Sequence, residues 1–291
     1  MVHVGLSMMI EEPFRRAALP LLEEGLVDVL EHSFEIGWGR YPLPDWAEAL
    51  LDHYAEAGRL WGHGVTMSPF SVEAPHQAQW LARVAEACRR RSYVAVSEHF
   101  GFMVAGELDG GAPLPVPPGP ATIELGITAL RRLAQATGTP VGLENLALAL
   151  GEPDLRAQGP LLAAVLEAVD GYLLLDLHNL YCQLANYSVD EAELLASYPL
   201  HRVRSIHLSG GSWSSPIARG RARRFRRDTH DDDVPDAVHA LLARVLPRCP
   251  ALEVVVLERL GSTLARPDAE ARFRDDFMRV RSAVQEGRAD G

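Results

Sequence analysis

Histidine, aspartate and glutamate recur in this sequence in short, separated groups. They are His63 within Gly-His-Gly, the pair Glu98-His99, and Glu144 followed by Asn145. Further on come Asp176-Leu-His178-Asn179, His207 within Ile-His-Leu-Ser-Gly-Gly, Asp228-Thr-His230 and Glu258-Arg259. His32 and Glu35 add an earlier group. Taken singly, each has an ordinary explanation: His63 or His207 as a hydrogen-bonded core histidine, Glu144 or Glu258 paired with a nearby arginine. Taken together they point elsewhere. Among imidazoles and carboxylates gathered at one partly buried place, like charges repel and all lose hydration. Divalent cations remove both penalties, and nitrogen and oxygen donors without thiolate suit zinc, iron or manganese. The candidates exceed the four ligands of one ordinary site, so two or three ions are expected.

Such a gathering needs elements that end at a common place. Eight short apolar runs, rich in β-formers, supply them: 2–9, 27–36, 59–67, 93–102, 139–145, 171–179, 203–210 and 252–260. Several are continuously apolar, as in Leu173-Leu174-Leu175 and Val254-Val255-Val256-Leu257. That character suits parallel strands buried on both faces. Helical patterns fall between them, over 44–58, 75–91, 120–138, 155–170, 188–198, 233–245 and 268–286. Ser188-Val-Asp-Glu191 has capping-box form at a helix start. Strand–helix alternation over 291 residues predicts an α/β fold, a (β/α)₈ TIM barrel, as one domain over 1–291 with a loose tail from about 285. An open doubly wound sheet is the rival, weakened because no G-x-G-x-x-G follows the first run. In a barrel the C-terminal strand ends converge on one rim, and the chemistry-bearing groups fall at those ends. Strand residues two apart share a face, so Asp176 and His178 are expected to point together into the rim. Gly106–Pro120 reads as a long loop after the fourth strand. Arg219–Arg227 reads as a basic stretch, either a solvated loop or an arm for an acidic partner or peptide.

Composition narrows the reactions. Hydrophobic residues are 47% and charged residues 23%, ordinary for a globular chain. The net charge of −11 disfavours general nucleic-acid binding. There is no lysine, which excludes Schiff-base chemistry and a P-loop lysine. Cys88, Cys182 and Cys249 contain no Cys-x-x-Cys, so no disulfide framework and no cysteine zinc site is expected. No apolar run reaches the ~18 residues of a membrane helix. Glu11 and Glu12 precede any arginine, unlike a secretory signal. A reduced cytoplasmic protein is expected.

The ordered motifs Ser97-Glu98-His99-Phe100, Glu144-Asn145, Leu175-Asp176-Leu177-His178-Asn179-Leu180-Tyr181, Ile206-His207-Leu208-Ser209-Gly210, Asp228-Thr229-His230 and Leu257-Glu258 resemble those of the multinuclear non-heme iron-dependent oxidative enzymes. That family is similar to the methanobactin-biosynthesis oxygenase. The resemblance covers the chain from about Val4 to Leu260. It implies a xylose-isomerase-like TIM barrel holding two or three irons of mixed Fe(II)/Fe(III) state. It also implies use of O₂ to modify a residue, often cysteine, of a ribosomally made precursor peptide, with a separate protein that recognises the peptide. Carried over motif by motif, the metal ligands are His63, His99, Glu144, Asp176, His207, Asp228, His230 and Glu258. Glu98 and Asn145 would orient them, and Glu35 and Tyr181 would line the substrate path. The chain departs from the family pattern at two places. His178 stands where asparagine is usual, and Gly211 stands where a second histidine is usual. His178 is therefore expected either to replace the missing ligand or to support the others.

Two other readings remain open on the residues. A metal-dependent sugar isomerase or an endonuclease IV-like hydrolase would use the same kind of barrel rim. A metal-free binding or partner protein would pair its carboxylates with arginines.

Overall fold

The computed structural model describes residues 1–39, 42–215 and 224–287. Its strands are β1 (His3–Ser7), β2 (Val29–Ser33), β3 (Leu60–Gly64), β4 (Val96–His99), β5 (Phe102–Ala105), β6 (Leu108–Leu114), β7 (Val141–Glu144), β8 (Tyr172–Asp176), β9 (Val203–Leu208) and β10 (Val254–Leu257). Its helices are α1 (Glu12–Glu23), α2 (Asp45–Glu56), α3 (Ala74–Arg90), α4 (Pro120–Thr137), α5 (Glu152–Val169), α6 (Leu177–Asn186), α7 (Glu191–Ser197), α8 (Asp236–Val245) and α9 (Ala269–Glu286). Eight strands close into a barrel in the order β1-β10-β9-β8-β7-β4-β3-β2, every pairing parallel. The expected (β/α)₈ architecture is therefore present.

Two-residue alternation along each strand divides the barrel into an inside and an outside. The outward set, such as Leu30, Leu60, Val96, Leu143, Leu173, Ile206 and Val255, packs into one large core with the helices. The inward set forms a separate plug of Val29, Trp61, Ala95, Tyr172, Leu174, Val254 and Val256. Following the same alternation upward, the inward residues beyond the plug include Glu31, His63, His99, Glu144, Asp176, His207 and Glu258. An apolar floor thus lies under a polar rim. In β3 the flanking glycines let aromatic rings press on the outer wall. A Cβ at Gly62 would sit 2.5 Å from the Phe34 ring, and one at Gly64 would sit 2.4 Å from the Trp80 ring.

Four local expectations are corrected. Gly106–Pro120 is not a loop throughout, because β6 pairs antiparallel with β5 as a hairpin beside the barrel mouth. Much of β6 is exposed, so it lacks the apolar pattern by which a buried strand is read, and Gly106, with φ of 61°, makes the turn. The run 171–179 stops being a strand at Asp176. Asp176 caps α6 directly, its side chain accepting from Asn179 N. His178 is therefore helical, and the two-apart strand argument does not apply to it. The cap of α7 is Asp190, which accepts from Glu193 N at 2.9 Å, and not Ser188. Finally, α1 has no counterpart in the expected helices. It carries prolines at 13 and 20, which disguise the buried stripe Phe14, Ala17, Ala18 and Leu21. Of the basic stretch, residues 219–223 lie outside the described residues, as do 288–291 beyond α9.

Candidate metal centre

Glu144, at the end of β7, is the hinge of the rim. His63 Nε2 and His99 Nε2 approach its Oε2 atom at 3.3 and 3.4 Å. Its other oxygen, Oε1, accepts from Asn179 Nδ2 at 3.2 Å. His99 Nδ1 donates to the Gly64 carbonyl at 3.3 Å. A carbonyl only accepts, so Nδ1 carries a hydrogen and Nε2 is the nitrogen turned toward Glu144. His63 Nδ1 is held by Ser97 Oγ at 2.9 Å. Two imidazole nitrogens thus face one carboxylate oxygen that has no hydrogen-bond partner.

The remaining groups continue around the rim. Four sets place one donor atom per residue within 4.8 Å of one another: His63, His99 and Glu144; Glu144, Asp176 and His207; Asp176, His230 and Glu258; and Glu31, His207 and Glu258. They interlock, because Glu144, Asp176, His207 and Glu258 each serve two. His207 Nδ1 lies 3.1 Å from Glu258 Oε2, and its Nε2 lies 3.0 Å from Glu31 Oε2. Asp228 Oδ1 meets His230 Nε2 at 2.9 Å and His178 Nδ1 at 3.1 Å. His230 holds a left-handed φ of 48°, a strained conformation of the kind found at functional sites. Asn145 clips the backbone of Asp176 in both directions, at 2.7 and 3.0 Å.

Burial and mutual repulsion govern the charges. Burial pushes Glu144 up to about 7. Burial, with Asp228 and Glu144 nearby, drives Asp176 well above the usual carboxylate range. Burial also opposes charge on His207 and His230, but Glu258 with Glu31, and Asp228 with Glu258, outweigh it and raise both rings well above an ordinary histidine. His99 is likewise held up to about 10, burial being outweighed by Glu144 and Glu98. Without cations the rim thus needs protons to compensate its carboxylates.

The donor set fits metal ions on an observation of its own. Among the described residues, Glu31 Oε1, Glu144 Oε2, Asp176 Oδ2 and His207 Nδ1 are buried and make no hydrogen bond, a costly state that coordination would relieve. Among the described residues, no arginine is ion-paired with Glu144, Asp176, Asp228 or Glu258. Arg259 binds Asp233 at 2.9 Å instead of Glu258. The arginine pairing that a metal-free protein needs is therefore not seen.

All the sequence-derived ligand candidates gather at this rim, though not all in the same way. Glu98 faces outward from β4, accepting from Met67 N and lying 3.7 Å from His99 Nδ1. Glu35 is tied to the loop after β3 and is not among the residues lining the cavity beside His99 and Asp228. Its Oε1 accepts from Val65 N, Thr66 N, Thr66 Oγ1 and Trp80 Nε1 and so fixes the loop after β3. The ring of Tyr181 lies 5.4 Å from the Arg226 guanidinium carbon. His178 occupies the space beside Gly211, where a Cβ would meet its Cε1 at 2.7 Å. Its Nε2 accepts from Arg226 Nε at 3.3 Å, so Nδ1 carries the hydrogen donated to Asp228. Sequence reasoning missed Glu31, Asn179 and Arg226. The alternation Val29, Glu31, Ser33 against Leu30, His32, Phe34 was the available signal for Glu31.

The fold and rim define a xylose-isomerase-like TIM barrel with clustered metal-type side chains. Solved structures agree in fold. Endonuclease IV from Thermus thermophilus superposes with a TM-score of 0.57 at 17% identity, covering 98% of this chain and 99% of that one. A xylose isomerase domain protein from Alicyclobacillus acidocaldarius gives 0.56 at 17% identity, covering 99% and 100%. Sequence comparison goes further. The family model of the RiPP precursor modification enzymes MbnB/TglH/ChrH matches residues 34–269. A UPF0276 protein of Caulobacter vibrioides is 30% identical over 242 residues, 81% of this chain and 80% of the relative. One from Chromobacterium violaceum is 30% identical over 244 residues, 82% of each. This chain belongs to the MbnB/TglH/ChrH family. No helix among the described residues is long and apolar enough to cross a membrane.

Proposed function

We propose that this protein holds two or three irons at the barrel rim and uses O₂ to modify oxidatively a residue of a ribosomally made precursor peptide. The observation that carries the reading is the interlocking of the rim sets, with their unpartnered buried donor atoms. His63, His99 and Glu144 would hold one ion, Glu144, Asp176 and His207 a second, and Asp176, His230 and Glu258 a third, with Asp228 beside His230. Bound iron supplies dioxygen activation and Lewis acidity.

The chain's own residues set the geometry. Asn179 holds Glu144 Oε1 and so leaves Oε2 for His63 and His99 to face. Asn145 fixes the backbone that carries Asp176. Glu31 accepts from His207 Nε2, so that Nδ1 is the nitrogen turned toward the ions. His178 has both ring nitrogens engaged by Asp228 and Arg226. It is a positioning residue for Asp228 and not a ligand. The apolar plug beneath the rim keeps water out from below, and the peptide enters through the cavity lined by His99 and Asp228. A separate peptide-recognition protein belongs to this reading. So does a cytoplasmic setting, consistent with the free Cys88, Cys182 and Cys249.

Elemental analysis of protein purified without oxygen tests the proposal. Two or three irons per chain, with peptide-dependent oxygen uptake, is the expected result. Zinc filling the rim during iron-replete expression would favour hydrolase or isomerase chemistry, and absence of any metal would overturn the reading.

A further inference from the structure

Arg226 is an oddity among the buried arginines. It is 8% exposed, and among the described residues no carboxylate lies within ion-pair distance of it. By contrast, Arg91 pairs with Glu48 and Asp52, and Arg259 pairs with Asp233. Its Nε donates to His178, and its guanidinium carbon stands 5.4 Å from the Tyr181 ring centre and 5.8 Å from that of Trp213. No hydrogen bond to its Nη1 or Nη2 is seen among the described residues. An uncompensated buried cation is costly, and a guanidinium is a planar fork that matches a carboxylate.

The fork lines a cavity of about 710 Å³, within the ~300–1,000 Å³ range of ligand sites. His99 and Asp228 line the same cavity, so it adjoins the metal centre. Its apolar wall includes Pro113 from the β5–β6 hairpin, Leu148 and Leu150 from the loop after β7, and Phe225. Leu148 and Leu150 are 43% and 79% exposed and stand together on the cavity wall, the kind of apolar lining that ligand pockets carry.

We propose that Arg226 and this cavity form a subsite for a carboxylate-bearing segment of the substrate peptide. The guanidinium takes the carboxylate, and a neighbouring apolar side chain packs against Leu148, Leu150 and Phe225. The proposal rests on the peptide reading above. The carboxylate has two sources, the C-terminal group of the peptide or an aspartate or glutamate side chain.

Binding is measured calorimetrically on metal-loaded protein without oxygen, using three probes. These are N-acetyl-Leu-Leu as the free acid, its C-terminal amide, and N-acetyl-Leu-Glu-Leu amide. The free acid is expected to bind about tenfold or more tightly than its amide. The glutamate probe matches the acid if side-chain carboxylates are accepted, and matches the amide if the C-terminal group is the ligand. Arg226→Gln abolishes the preference, Arg226→Lys retains part of it, and Arg224→Gln leaves it intact. Equal binding of acid and both amides, no binding of the acid up to about 10 mM, or an undiminished preference in Arg226→Gln overturns the proposal. The last outcome places the carboxylate elsewhere, for instance on the ions. Should Arg226→Gln not fold, the wild-type preference and its reduction in Arg226→Lys decide. The readout needs no turnover, so failure of the oxidative reading leaves it standing, and an active enzyme without the preference overturns only the subsite.

Discussion

The two halves of the rim are built differently. His63, His99 and Glu144 sit on adjacent strands β3, β4 and β7, whose parallel register places His63 beside Ser97 and His99 beside Glu144. His178, Asp228 and His230 sit on the first turn of α6 and on the long connection after β9. The first half is fixed by backbone ladders that also close the barrel. The second is fixed by side chains: Asp228 by two imidazoles, His178 by Arg226, and Arg226 by the Trp213–Arg226 bridge and by Asn186. The strand-borne half is rigid because the fold requires it. The loop-borne half borrows its rigidity from a polar network.

The largest expected effect of breaking this arrangement comes from Glu144→Ala. Glu144 belongs to two of the interlocking sets, so the variant should lose more than one ion's worth of bound metal and its activity, as read by elemental analysis and oxygen uptake. Retention of full metal would show that the strand-borne half is not the anchor. Glu31→Gln should act less severely. The amide keeps the shape but weakens the hold on His207, and metal affinity should fall about 10- to 100-fold by competition with a chelator. An unchanged affinity would mean Glu31 does not orient that ring.

A third effect concerns acidity in the metal-stripped protein. Glu144 is raised to about 7 in the folded chain, above its value in the unfolded chain. Its contribution to stability is therefore fully present below about 4.5 and is lost as pH rises through about 7. Urea melts at pH 5 and pH 7 should show a smaller acid-side advantage in Glu144→Gln than in wild type. An equal difference in both proteins would reject burial as the cause. The smallest effect on metal is expected for His178→Ala. Metal stoichiometry should stay the same while activity drops about tenfold, because Asp228 loses one of its two imidazole partners. Loss of one ion would make His178 a ligand after all and erase the distinction between the halves.

The strand-borne half was legible in the sequence, because parallel strands announce themselves as apolar runs and their ends carry the candidate ligands. Glu31 was not, since strand ends were read without register. His178 was placed on the correct rim by an incorrect route. Asp176 ends β8 and begins α6 in one residue, and an apolar run crossing that junction gives no sign of the change. The β5–β6 hairpin escaped because an exposed ribbon needs no buried face.

The order of strands and helices, and the kinds of donor atom at the strand ends, were already written in the sequence. Those follow from local periodicity and from the rule that parallel barrels collect their strand ends at one mouth. Which donors face each other, and that Arg226 is buried with no counter-ion among the described residues, were set by the folded chain. Those facts depend on register between strands far apart in the chain and on the packing of α6 against the connection after β9. No local pattern encodes them.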